Sequence, residues 1–289
     1  MKLADILAES RASLAAGGVD DANLDARLLV EHFSGTTRTD AISRPEMLVS
    51  AEAVAGIRAA VARRVAGEPV HRIIGFREFY GLRLFLSAET LEPRPDTEIL
   101  VDAALARLRS LAPAEGGLRI LDLGTGTGAV ALSLLSEMPE ARAVGTDISA
   151  DALATATRNA LENRVSERFE AVFSDWFEKI FGTFHAIVSN PPYIRSEELE
   201  TLQREVRNHD PQAALDGGAD GLDAYRSIAQ GSKEHLEEDG FVAVEIGHTQ
   251  QAEVIDVFAA HGLRFVESRQ DFGGRDRVLV FVLEENPAV

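Results

Sequence analysis

Cysteine is missing from all 289 residues, which excludes disulfides, thiolate metal sites and cysteine nucleophiles. The seven histidines are scattered, with no H-E-x-x-H or similar spacing, so no metal is expected. No apolar run approaches the ~20 residues that a bilayer-spanning helix needs. The first residues lack a basic segment leading into an apolar stretch, so the sequence predicts no secretory signal, a cytoplasmic location and no membrane partner. Basic residues are also scarce: 29 Lys and Arg stand against 47 Asp and Glu, a net charge of −18. The excess is uneven, with 11 bases against 13 acids in residues 1–92 and 18 against 34 in residues 93–289. Phosphate backbones are usually gripped by clustered Lys and Arg, so free nucleic acid is disfavoured as a partner. The acidic surface reads either as plain solubility or as walls that attract a basic protein loop.

The length is generous for one domain and ample for a core. Leu3, Ile6, Leu7 and Leu14 repeat at helical spacing, as do Leu24, Leu28, Leu29 and Phe33, then Val54, Ile57, Val61 and Val65. Residues 1–70 therefore read as a small helical bundle, broken at Gly67-Glu-Pro69. Phe76 to Leu86, with Tyr80-Gly81 at its centre, predicts a β-hairpin connector within residues 71–92. Residues 93–289 alternate helical and strand patterns, beginning with a helix over Thr97 to Leu111, which predicts an α/β domain with a mainly parallel sheet. Phe241 to Ile246 reads as a strand, and Leu263 to Ser268 with Arg277 to Leu283 as an antiparallel pair about Gly273-Gly274. The polar stretch from Ser196 to Gly221 reads as a lid beside the site or as plain loop.

Four strand ends carry the chemistry. Leu118 to Leu123 reads as a buried strand entering Gly124-Thr-Gly-Thr-Gly128 and a helix; the spacing is G-x-G-x-G with Asp122 ahead of it, not the dinucleotide G-x-G-x-x-G. Asp147 ends the next strand, 19 residues past Gly128, where one carboxylate can accept both hydroxyls of a ribose; an N-cap for the helix near Ser149 is its other reading. Asp175-Trp176-Phe177 follows the strand Arg168 to Phe173, and the single tryptophan fits either an adenine ring or the core. Asn190-Pro-Pro-Tyr193 follows the apolar run Phe184 to Ser189. A side-chain amide oxygen and the carbonyl of a proline make two fixed acceptors for a substrate NH2 group, although Asn-Pro and Pro-Pro are also ordinary turn punctuation.

Together these residues resemble a class I S-adenosylmethionine-dependent methyltransferase. Leu91-Glu-Pro-Arg-Pro-Asp-Thr-Glu98, Glu245-Ile-Gly247 with Gln250, and Asp271-Phe-Gly-Gly-Arg-Asp-Arg277 narrow the resemblance to the HemK/PrmC protein-glutamine N5-methyltransferases, over nearly the whole chain. Glu92, where an apolar residue is more usual, is the departure. The resemblance implies a Rossmann-like, mainly parallel seven-stranded sheet behind a helical substrate-docking domain. It places Gly124, Thr125, Gly126, Thr127 and Gly128 against the amino-acid part of S-adenosyl-L-methionine, Asp147 on the ribose and Trp176 near the adenine. Asn190, Pro191, Pro192 and Tyr193 would hold the glutamine, with Asn190, Pro191 and Tyr193 catalytic and Asn190 also beside the cofactor. Thr97 and Glu98 are candidate cofactor contacts or helix caps. The implied partner is a class 1 peptide-chain release factor, methylated in its Gly-Gly-Gln loop. A ribosomal-protein glutamine, an adenine N6 of nucleic acid, a nicotinamide dehydrogenase and a non-catalytic scaffold are the rival readings.

Overall fold

The computed structural model describes residues 1–111 and 116–284. They group into two compact units: Met1–Phe76 with Gln203–His209, and Arg77–Leu202 with Asp210 onward.

The first unit holds α1 (Leu3–Ala16), α2 (Ala22–Ser34), α3 (Arg38–Ser43), α4 (Ala51–Val65) and α5 (Val70–Ile74). Leu3, Ile6, Leu7 and Leu14 bury one stripe of α1 against Leu29, Val30, Ile57 and Val61. Leu24 and Val65 share the apolar spacing but are exposed; Ala22 and Ala26 turn inward on α2 instead, small residues that let helices pack closely. Local chemistry sets the ends. Thr37 and Asp40 form a capping box, Ser50 accepts the Ala53 N–H at 3.1 Å, and Gly35 at φ 66° ends α2. Two charged side chains, Asp25 and Arg64, are buried among the described residues of this unit. Arg64 of α4 donates to Asp25 of α2 at 2.6 Å and to Glu205 at 2.7 Å, tying the distant stretch Gln203–His209 to the bundle.

The hairpin is β1 (Phe76–Phe79) and β2 (Leu82–Phe85). Tyr80 and Gly81 turn it with φ values of 50° and 76°, as a two-residue type I′ turn demands. There follow a 3₁₀ turn (Pro95–Thr97), α6 (Glu98–Leu108), β3 (Arg119–Leu123), α7 (Ala129–Glu137), β4 (Arg142–Asp147), α8 (Ala150–Glu162), β5 (Phe169–Phe173) and β6 (Phe184–Ser189). After α9 (Arg204–His209) come α10 (Asp223–His235), β7 (Leu236–Glu245), α11 (Gln251–Ala259), β8 (Leu263–Gln270) and β9 (Asp276–Leu283). The stretch 196–221 is thus not plain loop: 3₁₀ turns at Ser196–Thr201 and Gln212–Ala214 flank α9.

The seven strands β3 to β9 form one sheet in the order β5-β4-β3-β6-β7-β9-β8, parallel except for β9, which runs against both neighbours. Its central strands are apolar on both faces, as a sheet covered on both sides requires. Ile120, Ala186, Val188, Phe241, Ala243, Val278 and Val280 face α6 and α7. Leu121, Ile187, Val242, Val244, Leu279 and Phe281 alternate with them toward α10 and α11. Phe258 of α11 stacks on Phe281 at 4.1 Å between ring centres.

Candidate active site

Strand register builds the site. Leu123 of β3 pairs with Thr146 of β4 and with Ser189 of β6, so the next residues, Gly124, Asp147 and Asn190, leave the sheet side by side at its carboxyl edge. Asp147 in turn pairs with Phe173 of β5, so Ser174 follows one residue beyond that row. The chain winds outward from β3 to β5 and then returns to β6 on the other side of β3, and ligands of open α/β sheets bind where the order reverses in this way.

A cavity of about 360 Å³ opens there. Its wall contains Gly124, Thr125, Gly126, Thr127, Asp147, Trp176, Asn190 and Pro192 from the motifs, joined by Leu91, Pro93, Arg94, Thr97, Asp122, Ile148, Ser174 and Ala214. Gly128, Pro191 and Tyr193 are not part of that wall. Gly128, at φ 82°, makes the turn into α7, and a Cβ there would lie 2.9 Å from Leu132. Gly124 and Gly126 also have positive φ, but a Cβ on either would meet nothing within 4 Å. Backbone can therefore approach a ligand closely at these two positions.

Asp147 is held by its surroundings before any ligand arrives. Its carboxylate accepts the Gly126 N–H at 3.0 Å and the Ser149 N–H at 2.9 Å. Burial raises its pKa against the pull of these amides. The cap of α8 is Ser149, whose hydroxyl accepts the Ala152 N–H at 3.2 Å, so Asp147 is relieved of that duty. Asp122, fully enclosed beneath the glycine turn, accepts from the Thr125 hydroxyl at 2.8 Å and the Ala131 N–H at 3.2 Å. Burial, with Asp147 nearby, pushes its carboxyl up to about 7. Asn159 braces the far side of the loop, donating to the Thr127 carbonyl at 2.9 Å and exchanging hydrogen bonds with Phe85. Trp176 sits at φ 44°, rare for a bulky residue, with its carbonyl accepting from Ser174 at 3.0 Å. Trp176 both lines the cavity and packs against the core.

At the end of β6 the Asn190 Nδ2 donates to Thr97 Oγ1 at 3.0 Å. Among the described residues neither Asn190 Oδ1 nor the Pro191 carbonyl accepts a hydrogen bond. Gln250 fixes the backbone beyond them, donating to the Tyr193 and Gly221 carbonyls at 3.1 and 3.2 Å and accepting from Gly247 at 3.1 Å. Tyr193 packs against the α10 side of the core. Burial, then the Glu245 charge, raises its hydroxyl to about 12. Thr97 thus lines the cavity and makes no cap bond. Glu98 points elsewhere, accepting the Tyr80 N–H of the hairpin at 2.9 Å, and is not a cavity residue. The unusual Glu92 is buried as an ion pair with Arg77. Arg94 pairs with Asp210 at 2.8 Å, next to the cavity residues Pro211 and Ala213. Of the added wall residues, Ile148, Ser174 and Ala214 carry no motif spacing of their own; the alternation of strand ends is the signal that would have found Ser174.

Among the described residues no group of three or more His, Cys, Asp or Glu is placed to hold a metal ion. No helix of the described chain is long and apolar enough to cross a membrane.

Residues 5–75 match the PrmC N-terminal domain and residues 98–218 the Methyltransferase small domain. A release factor glutamine methyltransferase of Agrobacterium fabrum is 54% identical over 275 residues, 95% of each chain. One from Cereibacter sphaeroides is 42% identical over 96% of this chain and 98% of its own. Among solved structures, the hMettl16 catalytic domain superposes with a TM-score of 0.58 at 15% identity, covering 80% of this chain and 84% of that one. A methyltransferase from Pyrococcus furiosus gives 0.51 at 18% identity, covering 76% and 95%. The structural likeness places the sheet among methyltransferase folds, and the sequence identity goes further. By that identity, over nearly its full length, this chain belongs to the family of release factor glutamine methyltransferases.

Proposed function

We propose that this protein transfers the methyl group of S-adenosyl-L-methionine to the side-chain N5 of the Gly-Gly-Gln glutamine in a class 1 peptide-chain release factor, in the cytoplasm. The observation that carries the reading is the Asn190 amide, anchored through Nδ2 on Thr97 with Oδ1 left to accept. The family names of the relatives support the same substrate.

The cavity suits the donor. The open space over Gly124 and Gly126 leaves their backbone to meet the amino-acid part, flanked by Thr125, Thr127 and the turn made by Gly128. Asp147 keeps lone pairs for two ribose hydroxyls, and Ile148, Ser174 and Trp176 line the wall beside it, where the adenine would lie. The donor supplies an electrophilic methyl on a positively charged sulfur.

The protein must supply placement, because a carboxamide nitrogen is a poor nucleophile whose lone pair is delocalised into its carbonyl. Asn190 Oδ1 and the Pro191 carbonyl each accept one N–H of the glutamine, which aims the remaining density of the nitrogen along the transfer line. Pro192 shapes the entrance, and Tyr193 stacks on the amide plane. Alignment of this kind lowers a barrier by up to roughly 7–11 kcal/mol, whereas a neutral hydrogen bond contributes about 0.5–1.5 kcal/mol, so geometry dominates over binding. The proton leaves after transfer, since an N-methylated amide cation is strongly acidic; no strong base is needed.

The test is transfer of labelled methyl to a purified release factor, beside a factor whose Gly-Gly-Gln glutamine is replaced and an Asn190→Ala enzyme. Label should vanish in both controls while Asn190→Ala keeps its affinity for S-adenosyl-L-methionine. Near wild-type transfer by Asn190→Ala would remove the amide-holding mechanism. Label on a ribosomal protein and none on the release factor would move the substrate.

A further inference from the structure

Glu245 ends β7, and the β6–β7 register places it next to Asn190: Ser189 pairs with Val244, so Asn190 and Glu245 follow on adjacent strands. Its carboxylate is almost completely buried, and Oε2 has no hydrogen-bond partner among the described residues. Burial raises its carboxyl, and the Thr97 hydroxyl is the first of the groups that favour the ionised form. Thr97 is itself buried, and its Oγ1 is the atom on which the Asn190 amide rests. The other groups that bear on Glu245 are Arg277 at the start of β9, Arg94 and Asp96 ahead of α6, and the hydroxyls of Tyr193 and Tyr225.

In its ionised form, which Glu245 takes above about pH 7, a carboxylate only accepts hydrogen bonds, and a threonine hydroxyl has one proton to give. If that proton is drawn to Glu245, the Thr97 oxygen is left to accept, and the group that meets it must be the Asn190 NH2 and not its oxygen. The direction of each bond then fixes the next. We infer that Glu245, acting through Thr97, is a positioning device that sets which way the Asn190 amide faces and so presents Oδ1, the acceptor, to the substrate nitrogen. This rests on the reading of Asn190 as the holder of a glutamine NH2. It gives work to the Glu245-Ile-Gly247 segment, which is not itself part of the cavity wall. An asparagine with its amide reversed would fill the same space and repel the substrate it should hold.

The test uses Thr97→Val, Thr97→Ser and Glu245→Gln in the full-length protein, with methyl transfer to the release factor, S-adenosyl-L-methionine affinity, melting temperature and the side-chain NH2 resonance of Asn190 as readouts. Thr97→Val should lower kcat by about 100-fold, the scale of loss when a reacting group is misplaced by an ångström, while KM for the release factor and cofactor affinity stay within threefold. Thr97→Ser, which keeps the hydroxyl, should recover kcat to within threefold. Glu245→Gln, able to donate where the carboxylate only accepts, should lower kcat and shift the Asn190 resonance without the melting temperature accounting for the loss. Equal kcat in Thr97→Val and wild type, equal loss in Thr97→Val and Thr97→Ser, or an unmoved resonance in Glu245→Gln would overturn the proposal. If the wild type puts no label on the release factor, the substrate reading falls, and the resonance alone decides the orienting role of Glu245.

Discussion

Replacing Asp147 by Asn strikes the acceptor proposed for the ribose, with almost no change of volume. The Asp147 carboxylate gives one oxygen to the Gly126 N–H at 3.0 Å and the other to the Ser149 N–H at 2.9 Å. Asparagine has a single acceptor oxygen. If it keeps Ser149, its NH2 group faces the Gly126 N–H, donor against donor, and the edge that would meet the ribose hydroxyls loses accepting capacity as well. Hydrogen bonds to a charged group contribute about 1.5–3 kcal/mol, so the Kd for S-adenosyl-L-methionine should rise roughly 10- to 150-fold. Calorimetric titration of wild type and Asp147→Asn measures it, with NAD titrated in parallel and expected not to bind. A variant within threefold of wild type, at an unchanged melting temperature, would show that Asp147 does not carry the ribose and would refute the cofactor orientation proposed above.

Asp122 predicts a pH dependence of stability. Its folded pKa of about 7 stands above the ordinary 3.8, so the folded state binds the extra proton between these values and stability is lost as pH rises from about 4 to about 7. Asp122→Asn should flatten that slope in urea unfolding, leaving the share that comes from Glu245, also raised to about 7 by burial; an unchanged slope would mean that Asp122 ionises normally. In the helical unit, Asp25→Ala strips the buried Arg64 of its closest partner and should cost about 3 kcal/mol, whereas Asp25→Leu combined with Arg64→Met should lie within about 1 kcal/mol of wild type. Chemical denaturation compares them, and equal losses would mean that the charges act only through packing.

Much of the site is legible because it is local. Gly124 to Gly128, Asp147, Trp176 and Asn190 each follow an apolar run closely enough for pattern reading to put them at strand ends, and parallel strands bring their carboxyl ends to one edge. Relations set by register are another matter. Nothing near Asn190 in the chain points to Glu245, because their adjacency exists only once β6 and β7 pair with Ser189 opposite Val244. Thr97 and Glu98 are adjacent in sequence, yet one supports Asn190 and the other the hairpin, because consecutive residues entering a helix point about 100° apart. The exposed Leu24 misleads for a similar reason: apolar spacing marks a stripe, but the packing of small alanines decides which stripe faces inward. Gln203–His209 falls with the first unit, and the ion pair of Arg64 with Glu205 joins residues 141 apart in sequence, beyond any local pattern.

The reversal of β9 gives the final hairpin an influence that its distance along the chain conceals. An antiparallel strand brings its first residues, not its last, to the edge where the other strands end. Arg277 arrives there as the extra residue of a bulge, between the pairs Arg269–Val278 and Gln270–Asp276. Bulges re-aim a side chain, and this one directs the guanidinium to Asp96 at 3.2 Å and Asp271 at 3.1 Å. A slip of one residue along β8 would move Arg277 by about 3.4 Å and turn it to the opposite face. Because the Arg277 charge bears on Glu245, changes of length or sequence in the turn at 271–276 should register as altered chemistry some 80 residues upstream, at Asn190.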